Sequence, residues 1–120
     1  MSISFPYVAG LFDGEGSVGL YYMKGRNMWR PVVSIDQKRD TRSAKLISEI
    51  AEYYGSRVYY SGPDCRFQLT RPDALRRFIT DVAPFTILKR AQLIVLETWL
   101  DFPVYTYRVN LTLKALKRRA

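Results

Sequence analysis

The stretch Val8-Ala9-Gly10-Leu11-Phe12-Asp13-Gly14-Glu15-Gly16 decides how this chain is read. Small residues at Ala9, Gly10 and Gly14 are interleaved with apolar ones, and two carboxylates stand near its end. Read as a helix, Gly10 and Gly14 fall on one face. Glycine inside a helix costs roughly 1 kcal/mol against alanine, and two on one face let a second backbone come very close. Membrane helix pairs use the same steric device. Such a helix delivers Asp13 and Glu15 to one end of the contact. If two copies meet, their carboxylates meet too, and clustered carboxylates repel unless a cation lies among them. A divalent-metal site at a two-fold axis follows from that reading. The plainer alternative is an apolar helix that ends on glycine, its usual C-terminal cap, and runs on into a strand.

Composition narrows the partners. The 120 residues make one domain, residues 1–120, with 48% hydrophobic residues to pack it. No apolar run has the length of a membrane span. Met1-Ser2-Ile3-Ser4 has no charged n-region or cleavage pattern, so no export signal is expected. An intracellular place is expected, cytoplasm, nucleoid or an organelle that encodes the protein. The single cysteine, Cys65, excludes an intrachain disulfide and fits a reducing compartment. With no histidine, a zinc centre is disfavoured, and any metal must be held by oxygen, which favours magnesium, calcium or manganese. The net charge of +8 calls for a polyanion, nucleic acid before a membrane surface. Charge carried only for solubility is the alternative.

Along the chain, residues 5–13 read as a helix with Pro6 in its first turn. Residues 16–23 and 29–37 alternate as strands around a turn at Lys24–Asn27. Asp40 or Thr41 can cap a helix that runs to about Tyr54, where Gly55 stops it. Strands at 57–60 and 66–70 flank Ser61-Gly62-Pro63-Asp64, a strong turn signal. Helices follow at 72–82 and 89–100, with Pro84 between them. The tail from Thr106 is ambiguous. Asn110 and β-branched residues weaken a helix there, while Leu111, Leu113 and Leu116 allow one. Lys114, Lys117, Arg118 and Arg119 are either a solvated end or phosphate contacts. An antiparallel sheet with helices on one side, an α+β domain, is expected.

Strand alternation sorts the side chains. One face is mostly apolar. The other collects Tyr21, Met23, Arg30, Ser34, Arg57, Tyr59, Ser61, Arg66, Gln68 and Thr70, with no Asp or Glu among these positions. A curved ribbon with such residues can enter a major groove, where Arg can read guanine and Gln adenine. An ordinary solvated face is the alternative. Lys24, Arg26, Lys38 and Arg39 lie in a basic stretch from which phosphate contacts are expected.

The nine-residue string resembles the LAGLIDADG motif of a family of homing endonucleases, with Val at the first position, Phe at the fifth and Gly-Glu in place of Ala-Asp. Helix, hairpin, helix, hairpin, helix is also the order of that family's αββαββα fold, so the resemblance covers nearly the whole domain. No second copy of the motif occurs here, and single-motif members act as homodimers through the motif helix. The resemblance therefore implies a self-pairing interface at Ala9, Gly10, Asp13 and Gly14. It implies a metal held by Glu15 and the Gly14 carbonyl, with Asp13 more structural than catalytic. Ser34-Ile35-Asp36-Gln37-Lys38 resembles the family stretch whose Gln positions the attacking water, which points to Gln37. Pro84-Phe85-Thr86-Ile87-Leu88-Lys89 resembles the stretch that supplies a lysine, which points to Lys89, with Arg90 adjacent.

The implied activity is a staggered, magnesium-dependent double-strand break in a long pseudo-palindromic DNA site. Manganese can substitute, and calcium can bind without supporting cleavage. Double-stranded DNA and a second copy of the chain are the implied partners, with no membrane and no small-molecule substrate. Little chain follows residue 105, so contacts made by longer C-terminal segments of the family are in question. A cleavage-inactive relative, an intron RNA maturase or DNA-binding regulator, is the alternative within the fold. A basic packaging protein is the alternative outside it.

Overall fold

The computed structural model describes residues 3–119. Helix α1 runs Phe5–Glu15, capped by the Ser4 hydroxyl, which accepts from the Tyr7 amide at 3.3 Å. It is longer than the pattern predicted because nothing breaks it at Gly14. It stops where Gly16 turns extended, with φ −88° and ψ 165°, and closes its N–H on the Phe12 carbonyl. A Cβ at Gly16 would collide with the Phe12 ring and carbonyl, so only glycine lets strand β1 start there.

The strands are β1 (Gly16–Met23), β2 (Met28–Lys38), β3 (Val58–Ser61) and β4 (Asp64–Leu69), in the order β1-β2-β4-β3, all antiparallel. The second hairpin is tighter than predicted. Gly62, at φ 55°, and Pro63 form the whole loop, which pairs Ser61 directly with Asp64 and lengthens β4 toward the turn. Helix α2 spans Arg42–Tyr53 behind Thr41, whose hydroxyl accepts from the Ala44 amide at 3.2 Å. Helices α3 (Pro72–Val82), α4 (Arg90–Asp101) and α5 (Thr106–Arg119) complete the chain.

Val18, Leu20, Val33, Ile35, Phe67 and Leu69 alternate on the helix side of the sheet and are buried there. Val8, Ala9 and Phe12 of α1 meet them. The Phe12 ring stands edge-on to Phe78 at 5.4 Å, and Tyr54 packs between Phe78 and Phe67. Each such fully buried ring contributes on the order of 3 kcal/mol.

The tail is a helix. Leu113 of α5 is buried, and the Trp99 indole N–H donates to the Thr106 hydroxyl at 3.0 Å, tying α5 to α4. The ambiguity left by the sequence from Thr106 onward is thereby resolved in favour of a helix. Val109 and Leu113 find the core to pack on where α5 meets α4 and β1, and this outweighs the weak local propensity. Among the described residues, no helix is long and apolar enough to cross a membrane.

Candidate nucleic-acid interface

Chain direction fixes the centre of the site. Helix α1 passes into β1 without a loop, and Gly16 pairs with Ile35 of β2. Glu15 therefore lies one residue beyond the end of the β1–β2 ladder, on the Asp36 side. There it lines two adjoining grooves at that end of the sheet. One, of about 660 Å³, is bounded by Asp36, Gln37, Lys38, Tyr59, Ser61 and Cys65. The other, of about 600 Å³, is bounded by Tyr21, Met23, Arg30, Val32, Ser34 and Lys117. Glu15, Asp36, Arg66 and Gln68 belong to both.

Most of the predicted interface residues thus line one continuous concavity. Arg57 and Thr70 line a smaller groove beside it that shares Tyr59 and Gln68. Lys24 and Arg26 sit in the exposed turn between β1 and β2, outside these grooves. Arg39 also lies outside them, donating to the Gly62 carbonyl at 3.2 Å and stacking on Tyr60 at 4.5 Å. Ser34 was expected to face the partner, but it is 5% exposed, flanked on its two neighbouring strands by Ser17 and Gln68. It shapes the groove floor and offers little surface for contact.

The face is not free of acids, contrary to the sequence reading. Register places Asp36 opposite Arg66, and the guanidinium grips both carboxylate oxygens, at 2.6 and 3.0 Å. That bond holds the Arg66 pKa above its ordinary value. Lys38 pairs with Asp64 at 3.0 Å. Arg30 donates to Thr70 at 3.3 Å, and Arg57 lies over the Tyr59 ring. Exposed pairs of this kind add at most about 1 kcal/mol of stability. Their larger effect is to hold long side chains in one orientation across the groove.

At the end of α1 a second set of contacts organises the site. The Asp13 carboxylate accepts from the Ile87 amide at 2.8 Å and the Lys89 amide at 3.1 Å. The Lys89 ammonium in turn donates to the Asp13 carbonyl at 2.5 Å, at the negative end of the α1 dipole. Arg90 points elsewhere, onto the carbonyls of Ala83 and Pro84. Of these two neighbouring cations, Lys89 is the one beside Glu15's helix end.

One of the interface expectations on α1 needs correction. Ala9 is wholly buried in the chain's own core, so it cannot touch a second copy. Asp13 is turned into the chain by its bonds to residues 87 and 89. Gly10 and Gly14 do lie on the surface, and a Cβ at either would meet nothing within 4 Å. Beside them, Ile87 is 82% and Leu88 56% exposed. Among the described residues, no three His, Cys, Asp or Glu side chains gather closely enough to hold a metal.

No protein-family model and no curated protein sequence matches this chain. Solved structures do. The homing endonuclease I-CvuI, in complex with the I-CreI target in the presence of magnesium with the DNA not cleaved, superposes with TM-score 0.75 at 16% identity, over 97% of this chain and 81% of that one. The homing endonuclease I-TnaI gives TM-score 0.68 at 19% identity, over 98% of this chain and 96% of that one. The LAGLIDADG homing endonuclease I-GzeII, in complex with its DNA target, gives 0.70 at 22% identity, over 93% of this chain but only 41% of that one.

Proposed function

We propose that this chain, which has the fold of the LAGLIDADG homing endonucleases, is a metal-dependent, site-specific DNA endonuclease that works as a homodimer. One observation carries the reading. Glu15 lies where two grooves lined by Arg, Gln and Tyr meet, at the end of a helix whose glycine face is bare. The DNA-bound neighbours support duplex DNA as the ligand. Neighbour structures determined with magnesium or calcium support a divalent cation.

The donor chemistry fits a hard cation, because Glu15 and the Gly14 carbonyl offer only oxygen. When bound, a divalent ion supplies Lewis acidity and lowers the pKa of water. The chain's own residues do the rest. Glu15 and the Gly14 carbonyl would hold that ion beside the scissile phosphate. The Gln37 amide orients the attacking water, whose oxygen bonds to phosphorus as one bridging P–O bond breaks. The Lys89 ammonium stabilises the charge that develops on the phosphate. With no histidine in the chain, the water's proton passes to solvent.

One chain supplies one Glu15, and pairing through Gly10 and Gly14, flanked by Ile87 and Leu88, supplies the second. Each subunit then reads half of a pseudo-palindromic site. The test is a randomised duplex library incubated with the protein and magnesium, or with a chelator. Discrete staggered cuts that need magnesium support the reading. Selective retention of duplexes without cutting overturns it in favour of a binding protein of this fold, for which RNA is the next ligand.

A further inference from the structure

Helix α5 lies against β1, one of the two edge strands of the sheet. Covering an edge strand is common protection against unwanted pairing, but α5 does it with a basic face. Asn110, Lys114 and Lys117 stand at helical spacing on one side of α5. They share a cleft of about 340 Å³ with Tyr21, Tyr22 and Trp29 of the first hairpin. Lys117 also reaches the rim of the groove that Glu15 opens. Residues 106–119 include no acid, and among the described residues neither Lys114 nor Lys117 enters an ion pair.

The charges lining that groove decide what the helix is for. Glu15 and Asp36 offset Arg30 and Arg66, so the floor is close to neutral and Lys117 supplies the surplus positive charge. A near-neutral floor suits base edges. It does little for the phosphates, which carry one charge per roughly 1.7 Å of duplex and dominate affinity. A sheet seated in a major groove about 12 Å wide has the two phosphate strands at its sides. A helix along its edge meets one of them.

We propose that α5 is a lateral wall that grips the DNA backbone through Lys114 and Lys117 while the sheet faces the bases. This rests on the DNA-binding reading above. The test is the salt dependence of binding of the full chain to a retained duplex, by fluorescence anisotropy. K114Q/K117Q is expected to lower the log–log slope by about 2, at roughly 0.9 per phosphate contact, and to leave the ranking of target sequences unchanged. K114R/K117R is expected to restore the slope. R108Q, which removes a charge from the same helix but lines neither groove, is expected to leave it unchanged. A slope unaffected by K114Q/K117Q, with an unaltered melting temperature, overturns the wall. A changed ranking at constant slope overturns it too, by making these lysines base readers. Wild type that binds no duplex removes the DNA reading itself.

Discussion

Single residues show where sequence reasoning reaches and where it stops. Glu15, Gln37 and Lys89 were singled out by a motif and two flanking stretches, and the structure puts Glu15 and Gln37 on one groove and Lys89 against the Asp13 carbonyl. Asp36 alternates with Arg30 and Ser34 along β2, so its place on the polar face was legible and was passed over; its pairing with Arg66 was not, because it needs the β2–β4 register between strands far apart in the chain. Ser34 was misjudged because alternation gives the face but not the depth. Tyr54 is a further residue that no pattern singled out. Its hydroxyl donates to Asp81 at 2.8 Å, and burial first, then that bond, pushes its pKa far up. Folding thus favours the neutral phenol. The stabilisation is fully present below the unfolded value of about 10 and is lost as pH rises through the folded one. Denaturant melts of wild type are expected to weaken above pH ~10 more steeply than those of Tyr54→Phe. At neutral pH the variant is expected to be less stable by about 1 kcal/mol. Parallel alkaline profiles would remove Tyr54 from this role.

At the scale of elements, apolar periodicity found α2, α3 and α4 and both hairpins, because each buries a regular stripe or face. It failed at α5, whose helicity comes from packing on α4 and β1. It also shortened α1, since glycine near a helix end looks like a stop when its surroundings are unknown. The joint between α1 and α4 is invisible in sequence, because Asp13 and residues 87–89 lie far apart in the chain. Asp13 satisfies two amides at the start of α4 that would otherwise lack partners. Asp13→Asn removes the charge and half of the acceptor capacity. It is expected to cost about 1–3 kcal/mol, read as a lower melting temperature with faster amide exchange at Ile87 and Lys89. Unchanged exchange at both amides would mean that the joint does not depend on the carboxylate.

For the whole molecule, the open question in the sequence was what a lone copy of the motif pairs with. The fold leaves Gly10 and Gly14 bare, while Val8, Ala9 and Phe12 hold the same helix to its own core. Folding thus uses one face of α1 and leaves the glycine face free, so the proposed pairing can be separated from folding by mutation. Gly10→Leu meets no atom within the chain at its Cβ. It is expected to leave the melting temperature close to that of wild type, to shift the sedimentation coefficient to that of a monomer, and to abolish cutting. A dimer that survives the substitution would place the interface elsewhere. The most direct measurement compares wild type with Glu15→Gln on a duplex that both retain, with magnesium present and binding and cleavage followed in parallel. Equal binding with cleavage confined to wild type is the expected result. Equal cleavage by both proteins would contradict the role given to Glu15 and, with it, a metal-dependent centre at the end of α1.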